Sequence, residues 1–246
     1  MIRTLLLLAT LLVTMSTFAT EVRDSVLTVT RPLTEGEFRE RDDFHTVRLS
    51  PGVKAIPDYA FTYCGNLREV ELPPSVTAIG RGAFAWCHKL RNIVLPSPLK
   101  DLGSQAFAYC MSLSDVTIPE SVTHIGANCF SFCSSLREIA LPAGVKELES
   151  YAFSDCSSLR EATLPANSAL LGEMIFAGCG SLDSITEGSL TPPPFDCGSQ
   201  PFDPDETELF QRVVLRVPAQ AVEAYRKAPG WRLFDHINPI TNSRKI

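Results

Sequence analysis

Cysteine has the greatest capacity for chemistry in this sequence, because a thiol can pair in a disulfide, bind zinc or act as a nucleophile. Six of the eight cysteines keep a constant interval of 23 residues. They are Cys64, Cys87, Cys110, Cys133, Cys156 and Cys179. A fixed interval places each thiol at the same position of a repeated unit, where a small and mostly buried residue suits an inward column. We therefore predict buried free thiols, with disulfide pairing as the alternative.

The two other cysteines are Cys129 and Cys197. Cys129 lies four residues before Cys133 and close to His124, which is the one arrangement in the sequence that is typical of a metal site. Structural zinc needs four ligands, usually from two closely spaced pairs, and only one such pair is present. Both members of that pair also occupy inward positions of the repeat. We expect no metal and no cofactor.

Catalytic residues are not indicated either. His45, His88 and His124 fall at exposed repeat positions, and none stands beside a recognisable nucleophile motif. A phosphate-binding glycine loop and a carboxylate pair of the kind used in hydrolysis are not found. The sequence therefore predicts no catalytic residue and no enzyme, with an unrecognised active site as the alternative.

The elements that position these residues form a 23-residue repeat, since phenylalanine and leucine keep the same interval as cysteine. The positions are Phe61, Phe84, Phe107, Phe130, Phe153 and Phe176, and Leu67, Leu90, Leu113, Leu136, Leu159 and Leu182. In the unit 68–90, the alternation at 70–72 predicts a strand that Pro73 ends. The short apolar segment 76–79 follows, and the apolar spacing in 83–90 is typical of one side of a helical turn.

No such unit can bury its apolar side alone, so successive units must stack. The predicted fold is a leucine-rich-repeat solenoid, a right-handed β/α superhelix with parallel strands and short helical turns, capped at both ends. We predict a degenerate N-terminal capping repeat at 20–44, six repeats at 45–186, and a C-terminal cap of loop, strand and helix at 187–246. Stepping back 23 residues places Val26 in the slot of Leu49.

The repeated string L-x-x-I/V-x-L-P-x-x-V-x-x-I-G-x-x-A-F-x-x-C-x-x-L resembles the BspA-like (Treponema-type) leucine-rich-repeat family. The resemblance covers Val26 to about Ile185, and the closing VPAQAVEAYRKAPGWRLF resembles the tail that often follows such repeats. The family consists of bacterial exported and surface proteins, with some protozoan members, and those with assigned roles mostly bind host proteins or other cells. The resemblance implies an adhesin-like role. The sixth repeat departs from the pattern at Ser168 and Ile175, so we expect the regular surface to end near Leu164.

The first 19 residues are typical of a cleaved signal peptide. Arg3 supplies the positive start, residues 5–13 are almost continuously apolar, and Thr17 and Ala19 are small residues at the cleavage positions. We expect cleavage after Ala19, with an uncleaved membrane anchor as the alternative. The protein is then exported, with no membrane span after signal removal, and lies outside the cell or at the cell surface, the periplasm being the alternative.

Charge argues against one class of partner. Removal of residues 1–19 takes away one base and no acid, which leaves 21 bases, 28 acids and a net charge of −7. The sequence contains no basic stripe that would offset this charge, and a nucleic acid is repelled by such a surface. We therefore expect no nucleic-acid partner.

Two columns of outward residues are candidates for a binding surface. The aromatic column precedes the cysteines and consists of Tyr63, Trp86, Tyr109 and Phe132. Helical geometry would turn this slot outward, because it lies two positions after the inward phenylalanine. The strand column consists of Arg48, Glu71, Val94, Thr117, Ala140 and Thr163, flanked by arginines and glutamates. From these columns the candidate binding residues are Tyr63, Trp86, Tyr109, Phe132, Glu71, Val94 and Thr117.

Each column has a plainer alternative, in which the aromatics only stabilise stacking and the strand column is a solvated sheet face. On balance the sequence predicts a non-enzymatic, exported binding scaffold that engages a protein or glycan partner through the solenoid surface. The alternative is a structural or assembly subunit of the bacterial cell envelope.

Overall fold

The computed structural model describes residues 20–166, 170–193, 202 and 207–241. The predicted signal peptide, Ser168 and Cys197 lie outside the described residues. The described chain is a solenoid in which parallel strands repeat at a 23-residue register, so that Ala55 pairs with Ala78 and Ala78 with Asp101. The leucine-rich-repeat solenoid that the sequence predicts is confirmed.

The strands of the described chain are short and are numbered here in chain order. They are β1 (Glu21–Arg23), β2 (Val26–Val29), β3 (Thr46–Leu49), β4 (Ala55–Ile56), β5 (Glu69–Glu71), β6 (Ala78–Ile79), β7 (Asn92–Ile93), β8 (Asp101–Leu102), β9 (His124–Ile125), β10 (Glu138–Ala140), β11 (Glu147–Leu148), β12 (Glu161–Leu164), β13 (Leu170–Leu171), β14 (Ser184–Glu187), β15 (Val214–Val217) and β16 (His236–Pro239). In the described part of the chain after the repeats, two short α-helices are present, α1 (Thr207–Arg212) and α2 (Val222–Lys227).

Each coil contributes to three sides of the solenoid. The front side carries two five-stranded sheets, ordered β1-β2-β3-β5-β7 and β10-β12-β14-β15-β16. The second side is one unbroken six-stranded sheet, ordered β13-β11-β9-β8-β6-β4. The remaining segment of each coil, such as 81–88, is here called the turn side. Proline ends the front strand because it cannot donate to the sheet ladder, which sends the chain toward the second side.

The turn side is not helical, and the predicted short helical turns are wrong. Alternate amides bond to the next coil, with Phe84 N donating to Ala106 O and Trp86 N to Ala108 O, both at 2.8 Å. The amide between them closes a local turn, from Ala85 N to Gly82 O at 3.0 Å. Trp86 has a φ of 63° and Gly82 one of 57°, both left-handed. A segment this short would form few helical hydrogen bonds, too few to offset the free-energy cost of helix nucleation. Stacking instead gives half of its amides a hydrogen-bond partner in the neighbouring coil.

The core contains a ladder of stacked phenylalanines and a parallel ladder of thiols. Phe107 lies between Phe84 and Phe130, with ring centroids 5.5 and 5.3 Å away and planes within 9° of parallel. The thiol of Cys110 donates to the carbonyl of Phe84 in the preceding coil at 3.2 Å. The same bond recurs at 3.1–3.3 Å from Cys64, Cys87, Cys133, Cys156 and Cys179. Cysteine therefore fills a small inward slot and also supplies a hydrogen-bond donor.

The N-terminal end is closed by a β-hairpin that the repeat pattern does not predict. β1 pairs antiparallel with β2, and β2 continues in parallel to β3. The loop residues Asp24 and Ser25 both have positive φ, as the tight turns of two-residue hairpins require. Val29, not Val26, lies opposite Leu49. Between its front strand and its turn side, the first coil is therefore three residues shorter than a constant 23-residue step implies. On the turn side the 23-residue step holds, and Phe38 stacks on Phe61.

The C-terminal end continues the front sheet through β14, β15 and β16, which pair in parallel. Tyr225 and Trp231 are fully buried here, and the indole N–H of Trp231 donates to Pro193 O at 2.9 Å. Phe202 extends the phenylalanine ladder from Phe176 at 6.4 Å. The last apolar layer of the repeats is thereby covered by aromatic side chains, as an open solenoid requires.

Candidate binding surface

The thiols, which offered the most chemistry in the sequence, are placed where they can do little. All seven described cysteines are free and buried, including Cys129. Burial raises the pKa of Cys64 and Cys133 to about 12. The thiolate is the form that attacks electrophiles or binds zinc, so these groups are inert where they lie. The prediction of buried free thiols is confirmed for the six-cysteine column.

His124, the histidine closest to the two cysteines of the possible zinc site, has other partners. Its Nε2 lies 3.0 Å from Oε1 of Glu149, whose Oε2 accepts the amide of Ala127 at 2.7 Å. The hydrogen bond from His124 is the main cause that lowers the pKa of Glu149. Among the described residues, no group of three or more histidine, cysteine or acidic side chains could hold a metal ion. His124 and Glu149 therefore form a bridge between coils on the second side.

The aromatic column is brought together on the turn side as one continuous stack. Ring centroids are 5.4 Å apart for Tyr63 and Trp86, 3.8 Å for Trp86 and Tyr109, and 4.4 Å for Tyr109 and Phe132. All four residues have a φ of 60–63°, so a left-handed turn and not a helix directs them away from the core. Tyr63 is 41% exposed, whereas the other three are half-buried. The ring faces therefore contact one another, which leaves mainly edges for a partner.

The strand column lies on the front side, apart from the aromatic stack. Glu71 is engaged by Arg48, whose Nε donates to its Oε1 at 2.9 Å. Val94 is 81% exposed, the highest value among the large hydrophobic side chains of the described chain, and Thr117 is also exposed. The seven candidate residues thus form two separate groups, one on each side of the coil. Only the front group includes an exposed apolar side chain without a stacked neighbour.

The front sheet is interrupted beside Val94 and Thr117. Residues 115–118 form no strand, and among the described residues no backbone hydrogen bond joins them to 92–95 or to β10. The sequence predicted a strand in every unit, so this coil is a correction. Its inward side chains Val116 and Ile118 nevertheless stay buried. The coil therefore keeps its core contacts while its front backbone polar groups are left open to solvent or to a ligand.

One residue type accompanies the interruption. In the column that holds Glu69, Asn92, Glu138 and Glu161 in the paired strands, the unpaired segment carries Asp115. Aspartate is among the residues that strands disfavour. Sequence reasoning missed this signal because the alternation of Asp115–Ile118 is that of an ordinary strand.

A groove of two adjoining parts follows the interruption. The first part, about 520 Å³, is lined by Arg91, Asn92, Ser112, Ser114, Ser135, Arg137 and Ser158. The second, about 490 Å³, is lined by Asn92, Ile93, Val94, Leu95, Ser97, Asp115, Val116, Thr117 and Pro119. Asn92 lines both parts. Val94 and Thr117, predicted from sequence as binding residues, therefore lie in the groove, whereas Glu71 and the aromatic stack do not.

These features define a class of protein: a stacked-coil repeat scaffold, a fold that is typically non-enzymatic. No helix of the described chain is long and apolar enough to cross a membrane. The family model for the BspA-type leucine-rich-repeat region matches residues 34–187 in six copies. Because this match spans more than half of the sequence, the chain belongs to the BspA-type leucine-rich-repeat family. No curated protein matches it.

Solved structures of bacterial leucine-rich-repeat proteins are similar to this chain. One from Bacteroides ovatus is 20% identical with a TM-score of 0.48, over 81% of this chain and 75% of that one. The T. pallidum leucine-rich-repeat protein is 25% identical with a TM-score of 0.47, over 69% and 79%. A leucine-rich cell surface protein from Faecalibacterium prausnitzii is 24% identical with a TM-score of 0.43, over 85% and 63%.

Proposed function

We propose that this protein is an exported, non-enzymatic binding scaffold that engages a protein or glycan partner outside the cell or at its surface, in an adhesin-like role. The observation that carries the proposal is the groove on the front side, where the sheet is open and Val94 stands exposed beside Thr117. Unpaired backbone groups and an exposed apolar side chain in a concave site are what a binding surface needs. Family membership and the N-terminal segment 1–19 support export.

Within this proposal, Val94 and Thr117 contact the partner directly. Glu71 belongs to the rim of the same face, where its ion pair with Arg48 holds it in place. The aromatic stack contributes mainly to the stability of the turn side, with the exposed edge of Tyr63 as its part open to a partner. We divide the roles in this way because Glu71 and the faces of the stacked rings already have contacts within the chain.

The proposal predicts that a charge placed in the groove abolishes binding without unfolding the protein. The variant Val94→Glu should lose binding to cells or to immobilised extracellular matrix, with an unchanged melting temperature because the side chain is solvent-exposed. Ala55→Glu, an exposed position on the second side, is the matched control and should bind normally. Equal binding by both variants would contradict a front-side site.

Location is tested by protease treatment of intact cells that carry the protein, with a periplasmic protein as the marker of envelope integrity. Degradation of the protein while the marker survives is the expected result. Protection of both would favour the alternative, a structural or assembly subunit held inside the cell envelope.

A further inference from the structure

The first part of the groove is built around two arginines that have no partner in the described chain. Arg91 and Arg137 are exposed, and neither guanidinium takes part in an ion pair or a side-chain hydrogen bond. Two basic side chains in neighbouring columns, by contrast, are already engaged. Arg48 pairs with Glu71 at 2.9 Å, and Lys89 Nζ donates to Asn66 Oδ1 at 2.7 Å. The donors of Arg91 and Arg137 are therefore free for a ligand.

A serine creates the space between these arginines. Arginine occupies one column at Arg68, Arg91, Arg137 and Arg160, and Ser114 takes the place between the middle two. The two arginines are thus two coils apart, roughly 10 Å at ordinary strand spacing. A planar guanidinium on each side of a gap of this size suits bidentate contact with one anionic group and its neighbouring atoms.

The floor of the space is lined with hydroxyl groups. Ser112, Ser135 and Ser158 occupy the column that holds Asn66 and Lys89 in earlier coils, so short side chains replace long ones here. None of these hydroxyls, nor that of Ser114, forms a hydrogen bond within the described chain. A set of free hydroxyls that can both donate and accept matches the hydroxyl groups of a sugar ring.

The surrounding charges limit the ligand to one with little negative charge. No acidic side chain lines the part that holds the arginines, but Asp115 lines the adjoining part and Glu138 follows Arg137 in the sequence. The net charge predicted for the mature chain, −7, would repel a long polyanion. A single carboxylate or sulfate can reach the two guanidiniums without meeting these acids closely. An apolar peptide side chain would find no aliphatic or aromatic lining beside the arginines.

We propose that the groove binds an acidic sugar of a glycan, with its carboxylate or sulfate between Arg91 and Arg137. Serine hydroxyls and Asn92 hydrogen-bond the ring, and the glycan continues past Val94 and Thr117 over the open backbone of the second part. This proposal rests on the binding role proposed above and specifies its partner.

The test is direct binding of the purified mature chain to four soluble probes, measured by calorimetry. The probes are a hyaluronan oligosaccharide, whose acidic groups are all carboxylates, a chondroitin sulfate oligosaccharide, which carries sulfates in addition, a neutral chitin oligosaccharide, and a peptide rich in aspartate and glutamate. We expect binding to at least one of the two acidic glycans, and none to the chitin probe or the peptide. Preference for the peptide, or equal binding of chitin, would overturn the proposal.

Variants locate the site. Arg91→Gln and Arg137→Gln should each weaken glycan binding about tenfold or more, the effect of losing one charge-assisted hydrogen bond. Arg68→Gln and Arg160→Gln, in the same column but outside the groove lining, are the matched controls and should leave the affinity within about twofold.

Ser114→Arg restores the arginine column and should fill the gap, so that binding falls although positive charge is added. Tighter binding by Ser114→Arg would overturn the proposal, because it would indicate non-specific attraction.

The two proposals fail in different ways. If the mature chain binds cells or matrix in a manner sensitive to Val94→Glu but binds neither acidic glycan, only the glycan inference is wrong. If it binds no glycan, cell or matrix component at all, the binding role is wrong as well.

Discussion

The front and second sides of one coil, residues 114–136, are connected to the neighbouring coils in different ways. On the second side, β9 pairs with both neighbours, β8 and β11. On the front side, residues 115–118 of the same coil pair with neither neighbour. The coil is therefore held in place by its second side, its turn side and its core contacts, while its front side is open. A repeat scaffold can in this way leave backbone groups available without losing its register.

The core ladders explain why the front side can open. Phe130 stacks between Phe107 and Phe153 at 5.3 and 5.4 Å, and Cys133 donates to Phe107 O at 3.3 Å. These contacts fix the coil independently of the front strands. Substitutions in the phenylalanine ladder should therefore cost more stability than substitutions on the surfaces.

Phe107→Ala should cause the largest loss, about 3–5 kcal/mol in the free energy of unfolding, because a large buried side chain is removed from a closely packed column. Phe38→Ala should cost clearly less, since Phe38 lies in the terminal coil and stacks on one phenylalanine, Phe61, where Phe107 stacks on two. Chemical denaturation of both variants measures the difference. Equal losses would mean that the terminal coil is as firmly held as the middle of the ladder.

Trp86→Ser should lower the free energy of unfolding by about 1–3 kcal/mol, since each aromatic pair contributes about 0.5–1.5 kcal/mol beyond area burial and Trp86 stacks on two rings. Tyr63→Ser, which removes one stacked pair at the exposed end, should cost less. Both variants are assayed for melting temperature and for binding. Binding lost at an unchanged melting temperature would instead make the aromatic stack a recognition surface.

Cys110→Ala should cost about 1–2 kcal/mol, because it leaves a small cavity and removes the thiol donor to Phe84 O. Cys110→Ser keeps a donor of similar size and separates the two contributions. Thiol labelling of the native protein should be weak and should become strong after denaturation without reductant. Mass spectrometry that found disulfides between ladder cysteines would contradict the buried free thiols of the structure.

The sequence predicts the inward columns well, because a core slot accepts few residue types and recurs at a constant interval. Phe107 and Cys110 are both placed correctly for this reason. The apolar spacing of the turn side, from Phe84 to Cys87 to Leu90, fits a helical period, and for that reason the sequence predicts helical turns there. The spacing is the same when alternate amides bond to the next coil, so periodicity alone could not separate the two structures.

The groove could have been only partly predicted. The outward positions of Val94 and Thr117 predict that they belong to a binding face, and both residues line the groove. The replacement of arginine by Ser114 is visible in the sequence, but its consequence depends on Arg91 and Arg137 having no other partners. That fact belongs to side-chain geometry, which a repeat pattern does not determine.

The central claim is that one coil is closed on its second side and open on its front side, and hydrogen–deuterium exchange resolved to single amides tests it most directly. The amides of Val116, Thr117 and Ile118 should exchange through local opening at almost no free-energy cost. Those of Ile125 and Phe130, in the same coil, should exchange only with a free energy approaching that of global unfolding. Comparable protection on the front and second sides of this coil would contradict the account.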